Sequence, residues 1–169
     1  MQNSIPLGYR GDKHGLIPQD NHAGFYEHYV ALIEEYGNLA NAFGVAGQDM
    51  HDCYEEALQA YQDGDYLLAS HYFSLLTFLN PQDGQLYLAT GNAQQQLGEH
   101  ARALQYFSAA AERLPVDPGV WFRLAECQVA LSQYEEGRES LRQCLSLCAT
   151  DNARPGLYSH AKALMDQLL

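Results

Sequence analysis

A chain of 169 residues can fold as one domain with a real core, and an apolar content of 47% is too high for a disordered polypeptide. The formal net charge is −12, and between Lys13 and Arg102 there are twelve acids and no Lys or Arg. Nucleic acids and anionic membrane surfaces both need clustered cations, so neither is expected as a partner.

Residues 1–24 carry Pro6, Pro18 and four glycines without helical periodicity, and read as a mobile tail. The tail has no signal-peptide core, and the longest strongly apolar run, Leu75 to Leu79, is too short to span a bilayer. A cytoplasmic location is the expectation. From Phe25 to Phe43 the apolar residues fall at Phe25, Tyr29, Leu32, Ile33, Tyr36, Leu39, Ala40 and Phe43. That spacing predicts one amphipathic helix over 25–44, about five turns long. Gly44 and Gly47 should break it, with Asp49 as the N-cap of the next helix.

A 34-residue period then sets in, with copies at 50–83, 84–117 and 118–151. The middle copy shows it best through Tyr87, Gly91, Gly98, Ala103, Phe107, Ala110 and Pro115. One period earlier stand Gly64, Ala69, Phe73 and Pro81; one period later stand Trp121 and Ala125. Each copy reads as helix A, a tight turn and helix B, and in the first these run over about 50–63 and 66–79. Glycine at 64 and 98 permits the reversal, and small residues at 57, 69, 91, 103 and 125 let the two helices approach. Asp117-Pro118 is an N-cap followed by Pro at the first helical position. In the third copy Ser132 replaces the turn glycine, Gly137 the alanine and Ala149 the terminal proline. Pro155 opens a last helix within 155–169, with Leu157, Ala161, Leu164 and Leu168 on one face, suited to capping the open end of a stack.

The period and its marks resemble the tetratricopeptide repeat, which implies an all-α fold. The expected form is a short right-handed superhelix of three repeats between an N-terminal helix and a C-terminal capping helix. The run from Ala60 through Gly64, Tyr66, Ala69 and Phe73 to Leu76 is more specific, as are Leu97-Gly98-Glu99 and Ala125-Glu126-Cys127. These resemble the class II chaperones of bacterial type III secretion over about residues 25–165, although the first 24 residues and the second repeat's Asn92 and Pro115 depart from that pattern. The resemblance implies a cytoplasmic protein that holds hydrophobic, pore-forming translocators before export, gripping an extended segment in a concave groove, with no cofactor and no catalysis. The alternatives are a secreted effector as cargo, or an adaptor or regulatory subunit of another bacterial assembly.

In such a stack the concave wall comes from fixed positions on the A helices. In the first repeat these are His51, Tyr54, Leu58, Tyr61 and Gln62, and in the second Gln85, Leu88, Asn92, Gln95 and Gln96. The third contributes Gly119, Phe122, Glu126, Val129 and Ala130. Apolar and aromatic groups flank an amide-rich middle, which suits a peptide's side chains and backbone respectively. Tyr54 and Tyr61 have the character of binding anchors, whereas for Leu58 and Val129 inter-repeat core is the competing, less favoured reading. A clamp for acidic peptide tails would need Lys and Asn where Tyr54 and Leu58 stand, and only Arg123 could serve it.

The remaining signals are bland. His51, Cys53, Cys144 and Cys148 lack the spacing of a zinc site, and structural cysteine is the better reading. No nucleophile–base pattern or phosphate loop has supporting context, so an enzyme is not expected, nor a small-molecule substrate. The aromatic face of the N-terminal helix (Phe25, Tyr29, Leu32, Ile33, Tyr36) suits packing on the first repeat or homodimerisation.

Overall fold

The structure, a computed structural model, describes residues 30–150 and 154–168. Among these residues every regular element is a helix. Helix α1 occupies 30–36 and is followed by α2 (Leu39–Phe43), α3 (Gly47–Gln62), α4 (Tyr66–Leu79), α5 (Gly84–Gln96) and α6 (His100–Arg113). Then come α7 (Pro118–Ala130), α8 (Tyr134–Thr150) and α9 (Pro155–Gln167). Each helix from α3 onward packs on the next one in sequence, and α7 also touches both α5 and α9. The pairs α3/α4, α5/α6 and α7/α8 are therefore the A and B helices of three stacked units.

The interior repeats with the sequence. Ala57, Ala69, Ala103 and Ala125 are fully buried, and Phe73, Phe107 and Leu141 occupy equivalent core places one period apart. Gly91 shows why these sites must stay small, because a Cβ there would stand 2.6 Å from the Phe107 ring. The A–B turns need a left-handed residue, and Gly64 and Gly98 supply it at φ 82° and 76°. Ser132 is forced into the same region at φ 61°, the single non-glycine residue with positive φ among those described. Asp65, Asp83 and Asp117 cap α4, α5 and α7 by accepting from the backbone N–H of Leu68, Gln85 and Gly119.

Successive units are also tied by specific polar contacts. Arg113 donates from Nε to the Pro81 carbonyl at 2.7 Å while its guanidinium lies 4.2 Å from the Tyr87 ring centre. The buried hydroxyls of Thr77 and Thr90 meet at 3.1 Å between α4 and α5. Trp121 Nε1 donates to the Pro115 carbonyl at 2.9 Å. Helix α8 runs 17 residues against 14 for α4 and α6, since Ala149 replaces the proline that would stop it. Ala161 of α9 is buried against Leu141, Cys144 and Cys148, with Leu157, Leu164 and Leu168 beside it.

Two boundary expectations need correction. The helix expected to run unbroken over 25–44 is interrupted at Gly37, whose φ of 82° ends α1. Asn38 then starts α2 afresh, its side chain accepting from the Asn41 N–H at 2.8 Å. The apolar periodicity continues across the break, which hides it from a reading by spacing alone. The second concerns the first repeat helix, which begins at Gly47 rather than after Asp49. Ala46 is its extended N-cap residue and Asp49 lies inside the first turn, where a carboxylate favours the positive end of the helix dipole. The 1–24 segment, Phe25 and Tyr29 lie outside the described residues.

Candidate functional site

The wall forms where α3, α5 and α7, the three A helices, lie side by side. Tyr54 and Tyr61 stand two turns apart on α3, both half-buried. Tyr54 packs edge-on against Phe73 (ring centres 5.8 Å apart), and Tyr61 packs edge-on against Tyr66 at 5.2 Å. Their rings are thus fixed from behind by α4 while part of each stays accessible. Burial, the largest influence, raises the Tyr61 hydroxyl above its ordinary pKa; the nearby Arg123 guanidinium and a hydrogen bond to Gln96 pull it down.

That hydroxyl is one end of a polar chain across all three units. Gln96 on α5 meets Tyr61, Arg123 on α7 lies close by, and Arg123 Nη1 donates to Glu126 Oε2 at 2.9 Å. Gln95 Nε2 reaches the same carboxylate oxygen at 3.3 Å. The amide of Gln95 is then used on one side only, because its Oε1 is buried without a donor among the described residues, and so is Asn92 Oδ1 one turn earlier. Buried acceptors of this kind normally find partners. Two of them stand one turn apart on α5, the middle of the three A helices.

The remaining residues divide into rim and support. His51, Gln62 and Gln85 are exposed at the edges. Leu58 is half-buried against the first core cluster. Leu88 sits against Ala103, Phe107 and Leu124 and also against Ala110 and Val120, so it is mainly packing between units two and three. Phe122 lies beside the cluster of Ala125, Leu141 and Ala161, while Val129 abuts Gly137 of α8, where a Cβ would approach its Cγ2 to 3.0 Å. Arg123 is the wall residue that position counting passes over, although its spacing from Glu126 by three residues on a helix is a readable pairing signal. In the N-terminal helix Leu32 and Ile33 are half-buried and Tyr36 is 45% exposed. Cys127 and Cys144 are buried thiols without reactive character. Burial lifts the Cys127 thiol to about 11 and Cys144 to about 12, Cys148 lying beside the latter.

The tetratricopeptide-repeat family matches residues 54–118 and again 94–146, which together span all three units. The chain is a tetratricopeptide-repeat protein. Among such proteins its likeness is to the translocator chaperones of type III secretion. Low calcium response locus protein H of Yersinia pestis is 23% identical over 146 residues, covering 84% of this chain and 87% of its own. The crystal structure of PcrH with the chaperone binding region of PopD superposes with a TM-score of 0.70 at 26% identity, covering 74% of this chain and 94% of PcrH. SycD, the type III secretion translocator chaperone of Yersinia enterocolitica, solved as an alternative dimer, gives a TM-score of 0.69 at 22% identity, with 73% and 94% covered. No helix among the described residues of this tetratricopeptide protein is long and apolar enough to cross a membrane.

Proposed function

We propose that this protein is a cytoplasmic, non-enzymatic chaperone of a type III secretion system, and that it holds an extended segment of a hydrophobic translocator against the wall of α3, α5 and α7. The observation that carries the site is the pairing of two anchored but accessible tyrosines with Asn92 Oδ1 and Gln95 Oε1 on the next helix, acceptors without a donor among the described residues. The aromatic rings take apolar side chains and the amides take backbone N–H groups, a division that fits a chain in extended form. The likeness to PcrH, solved with a segment of PopD, supports the cargo class. Free protein would pair as a homodimer through the face of Leu32, Ile33 and Tyr36, extended by Phe25 and Tyr29, as the dimeric SycD relative suggests.

Co-expression with a translocator from the same secretion system tests this reading. A soluble complex of the two proteins is expected. A translocator that stays insoluble or unbound beside abundant folded chaperone would overturn it.

A further inference from the structure

We propose that the cleft between α4 and α6 is a second binding site, for a peptide segment of a partner protein that carries an acidic side chain next to an aliphatic one. The cleft encloses about 490 Å³ between the B helices of the first two units and the end of α5, whereas the wall described above belongs to A helices. Its floor is polar and deeply buried. Gln94 is 8% exposed and Ser70 2%, and Gln94 Nε2 donates to Ser70 Oγ at 2.6 Å. That bond leaves Gln94 Oε1 buried with no donor among the described residues, so an N–H or O–H group entering the cleft would complete it.

The rim sets the rest of the ligand. Leu67 and Leu97 line the cleft at 56% and 38% exposure and offer an apolar seat for an aliphatic side chain. Arg102 lines it too, exposed and without an ion pair among the described residues. It is the only Lys or Arg between Lys13 and Arg113, so the cleft holds the one cation of a long acidic stretch. A guanidinium fork matches a single carboxylate. Glu99 on the same rim disfavours a dianion such as phosphate. A peptide brings carboxylate, backbone N–H and aliphatic group together within a few residues.

The test uses the isotope-labelled full-length protein and two end-blocked octapeptides, one alternating Leu and Glu and the other Leu and Lys. Blocked ends mean that only side-chain carboxylates can be read. The Leu–Glu peptide should shift the Gln94 side-chain amide and the backbone amides of α4 and α6. Arg102→Glu and, separately, Gln94→Leu should each weaken binding about tenfold or more. The Tyr54→Ala/Tyr61→Ala variant should bind the peptide as wild type does. The proposal is overturned by no shift at all, by equal binding of the Leu–Lys peptide, or by shifts confined to α3, α5 and α7. Shifts at α4 and α6 that follow protein concentration alone would also overturn it, since the cleft would then be a contact between copies. Arg102 is exposed, so its variant keeps the test valid even if Gln94→Leu disturbs folding.

Discussion

Moved along by 34 residues, Phe73 becomes Phe107 and then Leu141, and Ala57 becomes Gly91 and then Ala125. The same shift on the wall turns Tyr54 into Leu88 and then Phe122, and Tyr61 into Gln95 and then Val129. Between the helices of each unit the residue is dictated by the space left for it, so the copies agree. On the wall the space opens outward, and the three units diverge into aromatic, amide and mixed surfaces. The contrast separates the residues that make the stack from those proposed to choose what it holds.

The largest effect should come from breaking the copied side. Phe107→Ala empties a fully buried ring site and should cost about 3–5 kcal/mol, read as a lower denaturation midpoint with little soluble protein at elevated temperature. Gly91→Ala adds a methyl against the same ring and should cost about 1–3 kcal/mol, even though alanine is the better helix former. If Gly91→Ala were neutral, the close approach of α5 and α6 at that site would not be limiting. Ser132→Gly should have the smallest effect and the opposite sign, a gain of about 0.5–1 kcal/mol in thermal unfolding, because glycine reaches φ 61° without strain. None of the three should alter affinity for cargo once the protein is folded.

The copied side is legible in the amino-acid sequence alone. The positions of Gly64, Gly98, Ala69, Ala103 and Phe107 follow from the period and from the tightness that helix pairs require. The wall is only partly legible. Counting positions puts Tyr54, Tyr61, Asn92 and Gln95 on the proposed wall and Leu88 with them, although Leu88 mostly fills the seam between two units. It passes over Arg123, whose pairing with Glu126 is readable from their spacing but whose place beside Tyr61, with Gln95 donating to the same Glu126 carboxylate, appears only once the helices are stacked. Gln94, Gln95 and Gln96 show the limit most sharply. Identical in type and adjacent in sequence, they face the α4–α6 cleft, the α7 carboxylate and the Tyr61 hydroxyl, because each step along a helix turns the side chain by about 100°. The break at Gly37 escapes detection for a related reason, since the apolar face resumes in phase on the far side.

The most direct test is a calorimetric titration of the purified protein with the chaperone-binding segment of its translocator, run beside the Tyr54→Ala/Tyr61→Ala variant. Removing both rings should weaken binding by about a hundredfold while the far-ultraviolet dichroism stays that of a folded helical stack. A folded variant that binds within about twofold of wild type would contradict the assignment of the wall as the cargo site.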